Sequence, residues 1–348
     1  MWRSLSNFIF LMCLTLVNCE PKVPCFFIFG DSYSDAGSNN ALFSLAKANY
    51  PPYGIDFPGG TPTGRFTNGL NCVDYIAQFL GFGGFIEPYR NNTGQDALKG
   101  INFASGSAGI LSQTAYHVGD RVWMDRQLEN YKTVITKLEP KVKGPIGNYL
   151  NKCLYSVNIG TNDYINNYFL PLLYPFSKFY SPDEYSSMLI ARYTAQLQAL
   201  YDFGARKIAV YGLGPLGCLP FEVTKSCATE CVLEKNQAVQ LFNTKLVSLV
   251  DQFNTKLPGA KFIFVDTFAI LNLTALPGLI MNSTCCEIVT ISNLCKSSTP
   301  PCPNRKSYAY MDGIHPTEVV NQQIAISSYT SQDPLFVHPI NISQLITS

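Results

Sequence analysis

Short runs of β-branched and aromatic residues alternate with long amphipathic stretches along this 348-residue chain. That rhythm restricts the fold more than any other feature. The strand-like runs are Cys25 to Phe29, Gly100 to Phe103, Cys153 to Ile159, Arg206 to Tyr211 and Lys261 to Val265. Helix-like stretches fall at about 70–80, 120–138, 182–203 and 231–257. Ser181 before Pro182, Asp183 and Glu184 is a helix start, with a side-chain N-cap and a proline at the first helical position, and Gly204 marks that helix's end. Strand, helix, strand at this spacing demands right-handed crossovers and a mostly parallel, five-stranded sheet covered on both faces, an α/β fold. Neither a linker-like composition break nor an internal repeat interrupts it, so residues 20–348 are expected to form a single domain.

In such sheets ligands bind beyond the carboxyl ends of the strands. Gly30-Asp31-Ser32-Tyr33-Ser34-Asp35 follows the first strand, Ala104-Ser105-Gly106 the second and Gly160-Thr161-Asn162-Asp163 the third. Asp312-Gly313-Ile314-His315-Pro316 precedes a last helix. A serine becomes a nucleophile when a base takes its proton and a third group orients that base. Ser32 is the candidate nucleophile and His315 the candidate base. Asp312, three residues before His315, is placed to hold the other ring nitrogen. The backbone N–H groups of Ser32 and Gly106 and the side-chain amide of Asn162 are the candidate oxyanion donors. Glycine at 106 lets the backbone approach a substrate with no side chain in the way.

Each signal alone has a plainer reading as a turn or a helix cap; four of them in order, three at strand ends and one before the last helix, do not. Ser34 competes with Ser32 but belongs with Asp35-Ala36-Gly37 to the following turn, and Asp31 and Asp163 are expected to buttress their loops. Gly212-Leu213-Gly214-Pro215-Leu216-Gly217 fits the dinucleotide pattern, but Pro215 and Pro220 deny it the helix that would face a pyrophosphate, so it is read as a tight loop. The Gly-x-Ser-x-Gly elbow of α/β-hydrolases does not occur. His117 and His338 have no carboxylate pattern beside them and are assigned no role.

Phe29-Gly30-Asp31-Ser32, the Asn102-to-Gly109 segment, Ile159-to-Tyr164 and Asp312-to-Glu318 closely resemble the plant GDSL-type esterase/lipase branch of the SGNH hydrolases. Thr63-to-Gly69 and Gly212-to-Cys218 are similar to it too, so the resemblance runs over nearly all of residues 20–348. It implies a three-layer α/β/α sandwich of flavodoxin-like type and hydrolysis of small-molecule, lipid or polymer esters without metal or cofactor. It gives Ser32, Asp312 and His315 the catalytic roles and Gly106 and Asn162 the oxyanion roles. Two positions depart from the pattern and bear on the acyl pocket: Tyr33 stands where leucine is expected, and Met311 where an aromatic residue, usually tryptophan, precedes the aspartate. An acyltransferase with the same triad, or a non-catalytic lipid or carbohydrate binder, stays open as an alternative. Chain length of the acyl group, alcohol identity and oligomeric state are not legible.

Arg3, the apolar run Phe8 to Val17 and Cys19 have the layout of a secretory signal, too short for the ~20 residues of a spanning helix. Cleavage is expected near Cys19, giving a secreted protein with no transmembrane segment. Asn91, Asn272, Asn282 and Asn341 head N-glycosylation triplets, which suit that compartment. Loss of Arg3 brings the 25 basic residues level with the 24 acidic ones, and loss of Cys13 and Cys19 leaves ten of the 12 cysteines, an even number. The cysteines cluster at 218–231 and 285–302 without Cys-x-x-Cys pairs, so they are read as disulfides stapling loops, each contributing about 2–4 kcal/mol, rather than as zinc ligands. A balanced charge with 14% charged residues lacks the basic stripe of a nucleic-acid partner, and three histidines leave little for a metal centre.

Overall fold

A computed structural model describes residues 20–91, 97–273 and 278–348; the expected signal segment, residues 1–19, lies outside them. Four parallel strands, β1 (Phe26–Gly30), β2 (Leu154–Asn158), β3 (Lys207–Tyr211) and β4 (Lys261–Val265), lie side by side in chain order. Phe26 stands opposite Leu154, Leu154 opposite Lys207 and Lys207 opposite Lys261, so their carboxyl ends finish level. A second, two-stranded sheet pairs β5 (Ile280–Thr284) with β6 (Tyr308–Tyr310). The fifth strand of the main sheet is β7 (Val337–His338), antiparallel on the edge of β4.

Beside shorter helical turns, the helices that flank the sheet are α1 (Cys72–Phe79), α2 (Met124–Leu138), α3 (Pro182–Asp202), α4 (Leu233–Lys256), α5 (Glu318–Thr330) and α6 (Ile342–Thr347). Helices α2, α3 and α4 form one layer, and α1, α5 and α6 the other. The result is the expected α/β/α sandwich with a mostly parallel sheet. Ser181 and Glu184 close a reciprocal capping box at the start of α3 (Ser181 N–H to Glu184 Oε2, 2.8 Å), and Asn71 and Asp74 do the same for α1.

One expected strand is different. Residues 101–103 run beside β1, with Ile28 N–H donating to Ile101 O (3.0 Å) and Phe103 N–H to Ile28 O (2.7 Å), but they pair only through isolated bridges at Asn102. The side chain of Asn102 takes the N–H of Ala104 (2.9 Å) and donates to Ser34 O (2.7 Å), which turns the segment out of the ladder. The chain therefore visits one side of β1 before crossing to β2 on the other. That topological switch opens a crevice at the carboxyl end of β1.

The four parallel strands are buried along nearly their whole length, and the core beneath that crevice is aromatic. Phe27, Phe29, Phe103, Tyr131 and Tyr155 meet ring to ring with centroids 5.1–6.4 Å apart. The two buried hydroxyls satisfy each other at 2.8 Å, and Tyr155 also reaches Leu150 O. From α2, buried Gln127 accepts from Gly30 N–H (2.9 Å) and donates to Gly30 O (2.7 Å), fixing the last residue of β1.

Disulfides join Cys218 to Cys231, Cys285 to Cys302 and Cys286 to Cys295 across loops, while Cys25–Cys153 ties the starts of β1 and β2. The expectation that all ten cysteines pair needs correction: Cys72 and Cys227 are free. Cys72 sits in the first turn of α1 inside the core, where burial pushes its thiol up to about 12, and Cys227 is exposed. Residues 20–348 should therefore take up one maleimide when native and two after unfolding without reductant; a native protein that takes up none would show Cys227 to be bonded.

Candidate active site

Where β1 ends, Gly30 permits a close turn, since a Cβ there would lie 2.4 Å from Asn158 O. Two residues on, Ser32 Oγ lies 2.7 Å from His315 Nε2. The other ring nitrogen of His315, Nδ1, lies 2.9 Å from Asp312 Oδ2 and 3.0 Å from Oδ1. Asp312 is fully buried, and its Oδ1 also accepts the N–H groups of Ile314 (2.8 Å) and His315 (2.7 Å), so the Asp312–His315 turn holds its own carboxylate. Phe66 packs on the imidazole with ring centroids 4.8 Å apart, and Tyr33 flanks it at 5.7 Å while donating to Ile314 O.

Tyr53 is a member of this cluster that sequence reading does not find. Its hydroxyl donates to Asp312 Oδ2 at 2.5 Å and accepts from Cys295 N–H at 3.0 Å. Nothing local to Tyr53 signals a partner 259 residues away.

The expected oxyanion donors divide. Asn162 Nδ2 donates to Ala108 O (3.0 Å) and Asn162 Oδ1 accepts from Asn166 Nδ2 (2.7 Å), which fixes the amide and leaves one of its two hydrogens. Gly106 requires a correction: its N–H donates to Asp35 Oδ2 at 2.8 Å and is not free. Glycine is needed there for packing, since a Cβ would come within 2.8–3.1 Å of Asn39 and the Phe66 ring. The N–H groups of Ser32 and Ser107 meet no acceptor among the described residues, and Ser107 holds the left-handed conformation (φ 61°).

Ser32, Ser107, Asn162 and His315 line one cavity of about 740 Å³. Its walls are largely apolar, with Phe66, Ile165, Leu170, Phe221, Ile288 and Leu294 among them. His117, read as a loop residue without a role, also lines it, with Nδ1 2.9 Å from Tyr174 Oη; burial lowers its pKa. His338 is on the edge strand, paired with Asp251.

Comparison with known proteins decides the family. The model of the GDSL-like lipase/acylhydrolase family matches residues 26–327. The chain belongs to this family. It is 43% identical to a GDSL esterase/lipase of Arabidopsis thaliana over 94% of this chain and 92% of that relative. It is 42% identical to a second from the same plant, over 99% and 97%. This GDSL hydrolase is accordingly a carboxylic ester hydrolase.

The acids beside the site are structural in their contacts. Asp163 takes the N–H groups of Ile110 and Leu111 and the hydroxyl of Thr114 (2.6 Å), and burial still lifts it to about 6. Ser34, buried in the turn, donates its N–H to Asp31 O and accepts from Asn102 at its carbonyl. The Asp31 carboxyl accepts Tyr33 N–H at Oδ1 (3.1 Å), its Oδ2 meets no partner among the described residues, and burial pushes it from 3.8 to about 8.

Among the glycosylation acceptors, Asn272 and Asn282 are exposed, although Thr274 of the first triplet and the end of the Asn91 triplet lie outside the described residues. Asn341 needs correction. It is buried as the N-cap of α6, its oxygen accepts from Gln344 N–H (2.9 Å) and its nitrogen donates to Ser331 O (2.9 Å), leaving no room for a glycan.

Two outcomes follow from this geometry. A buried hydrogen bond to a charged group contributes about 1.5–3 kcal/mol, so Tyr53→Phe should lower kcat roughly tenfold or more with little change in KM, because Tyr53 does not line the cavity; an unchanged kcat would exclude a positioning role. The raised pKa of Asp31 means that the folded chain keeps a proton the unfolded chain has released, so stability falls as pH rises from about 4 to 8. Melting temperatures measured across that range should fall less steeply in Asp31→Asn, and parallel curves would contradict the assignment.

Proposed function

We propose that Ser32, His315 and Asp312 form the catalytic triad of a secreted serine esterase that cleaves neutral carboxylic esters through an acyl-enzyme. The observation that carries this reading is the unbroken chain of short contacts from Ser32 Oγ through the imidazole to a buried carboxylate, opening into a cavity with apolar walls. With Nδ1–H held by Asp312, Nε2 is left to accept the Ser32 proton as Oγ bonds the ester carbonyl carbon. The oxyanion that forms takes hydrogen bonds from Ser32 N–H, from the remaining amide hydrogen of Asn162 and from Ser107 N–H, which replaces that of Gly106. His315 returns the proton to the departing alkoxide, the alcohol leaves, and a water deprotonated by the same nitrogen releases the acid and restores Ser32.

The remaining parts of this reading rest on sequence and exposure. Residues 1–19 are taken as a removable signal and residues 20–348 as a single hydrolase domain. Exposed Asn272 and Asn282 are the glycan acceptors best placed to be used. The disulfides suit an oxidising compartment.

Ser32→Ala should reduce turnover of a short-chain aryl ester by at least about a thousandfold and abolish labelling by a fluorophosphonate. A Ser32→Ala protein as active as wild type would overturn the assignment.

A further inference from the structure

Single exposed apolar side chains are ordinary on protein surfaces, whereas a contiguous set around one opening is not. The mouth of the catalytic cavity carries such a set. Leu45 and Ile291 line the cavity and still expose 62% and 88% of their surface. Phe43 (92%) precedes Leu45 by two residues, and Leu172 (93%) tips the turn in which Leu173 N–H donates to the carbonyl of cavity-lining Leu170. Tyr116 stands next to His117, which lines the cavity, and packs edge-on against Tyr174 at 5.0 Å.

These segments are joined to one another. Leu45 N–H donates to Val118 O (2.8 Å), Asp120 N–H to Phe43 O (2.8 Å) and Ala115 N–H to Asn166 O (3.3 Å), so 43–45, 115–120 and 166–174 form one continuous side of the opening. The 288–294 loop lines the same cavity and completes the set. No carboxylate of the described residues lines the cavity, where Lys225 is the charged side chain.

We propose that this rim docks the enzyme on a lipid–water interface, and that its substrates are esters of aggregated lipids drawn directly from that interface into the cavity. The rim surrounds the entrance, so whatever covers these side chains also closes the path of the ester. A protein seated there would seal the site. A lipid surface covers the apolar tips and delivers the substrate in the same act. The proposal rests on the Ser32 reading for its chemistry, but adsorption can be measured without turnover.

The test uses residues 20–348 as wild type, Ser32→Ala and a Phe43→Ser/Leu172→Ser double variant, whose changed side chains are almost fully exposed and outside the cavity wall. Co-sedimentation with phosphatidylcholine vesicles should be equal for wild type and Ser32→Ala and at least tenfold weaker for the double variant. Hydrolysis of an emulsified triacylglycerol should fall with it, while hydrolysis of a soluble aryl acetate stays at the wild-type rate. Wild type that ignores vesicles, a double variant that binds them equally, or a wild-type dimer lost in the double variant would each overturn the proposal. A Ser32→Ala protein that binds vesicles and still cleaves aryl acetate would instead overturn the catalytic reading and leave the docking intact.

Discussion

A buried carboxylate behind the proposed nucleophile, Asp35, is the contact on which the remaining geometry depends. Its Oδ1 accepts the N–H groups of Gly37 and Ser38, both at 2.7 Å, and its Oδ2 accepts that of Gly106 at 2.8 Å. One side chain thus shapes the turn that carries Ser32 and pins the neighbouring segment 104–107 against it. Burial raises Asp35 to about 6 against the pull of those donors and of nearby Arg65. Such a network stabilises only when every member is satisfied. Most neighbours comply, Asp31 Oδ2 and Ser38 Oγ excepted: Asn39 bridges Gly106 O and Ser105 Oγ, Asn102 reaches Ser34 O, and Arg65 pairs in bidentate fashion with Asp74 while contacting Ala36 O. The site is held by polar groups that have exchanged water for one another.

The other half of the site is held differently. Asp312 arrives with the 308–316 segment, and its support comes from the cysteine-rich loop: Cys286 N–H bonds Met311 O, Gly313 N–H bonds Asn293 O, and Cys295 N–H orients the Tyr53 hydroxyl toward the carboxylate. Tyr53, Phe66, Met311 and the disulfide sulfurs of Cys285, Cys286 and Cys295 share a small core of their own beneath the imidazole. Disulfides here serve the placement of Asp312 as well as global stability, because they fix a loop that is itself neither strand nor helix.

This division explains what a linear reading finds. Ser32, Asn162, Asp312 and His315 are legible as candidates because what marks them is local: each follows a strand or shares a turn. The long helices are legible from periodicity and caps. The two-residue strand β7 is too short to leave a pattern, and residues 100–103 have strand composition but lose the ladder to the Asn102 side chain. Partnerships between distant positions leave no local trace. The Tyr53–Asp312 bond, the capture of Gly106 N–H by Asp35 and the engagement of buried Asn341 all belong to that class. So does the role of Arg65 and Phe66, whose segment stands out as a motif although its purpose, stacking on His315 and anchoring α1, exists only after folding.

Tyr33 shows how one residue separates chemistry from specificity. It follows Ser32, yet its ring lines a second, narrow apolar cleft with Leu216, Leu219, Tyr310 and Pro316, while its hydroxyl bonds Ile314 in the wall of the candidate active-site cavity. A leucine at this position would be shorter and could not make that bond, so the wall between cleft and cavity would lose its tie. The backbone of the turn would not change, because Asp31, Asp35 and Gln127 hold it from behind. The contacts of the proposed triad sit in a rigid polar frame, and the volume offered to the acyl chain is set by side chains that frame does not constrain. Members of one family can therefore keep the same reacting atoms while differing in the esters they accept.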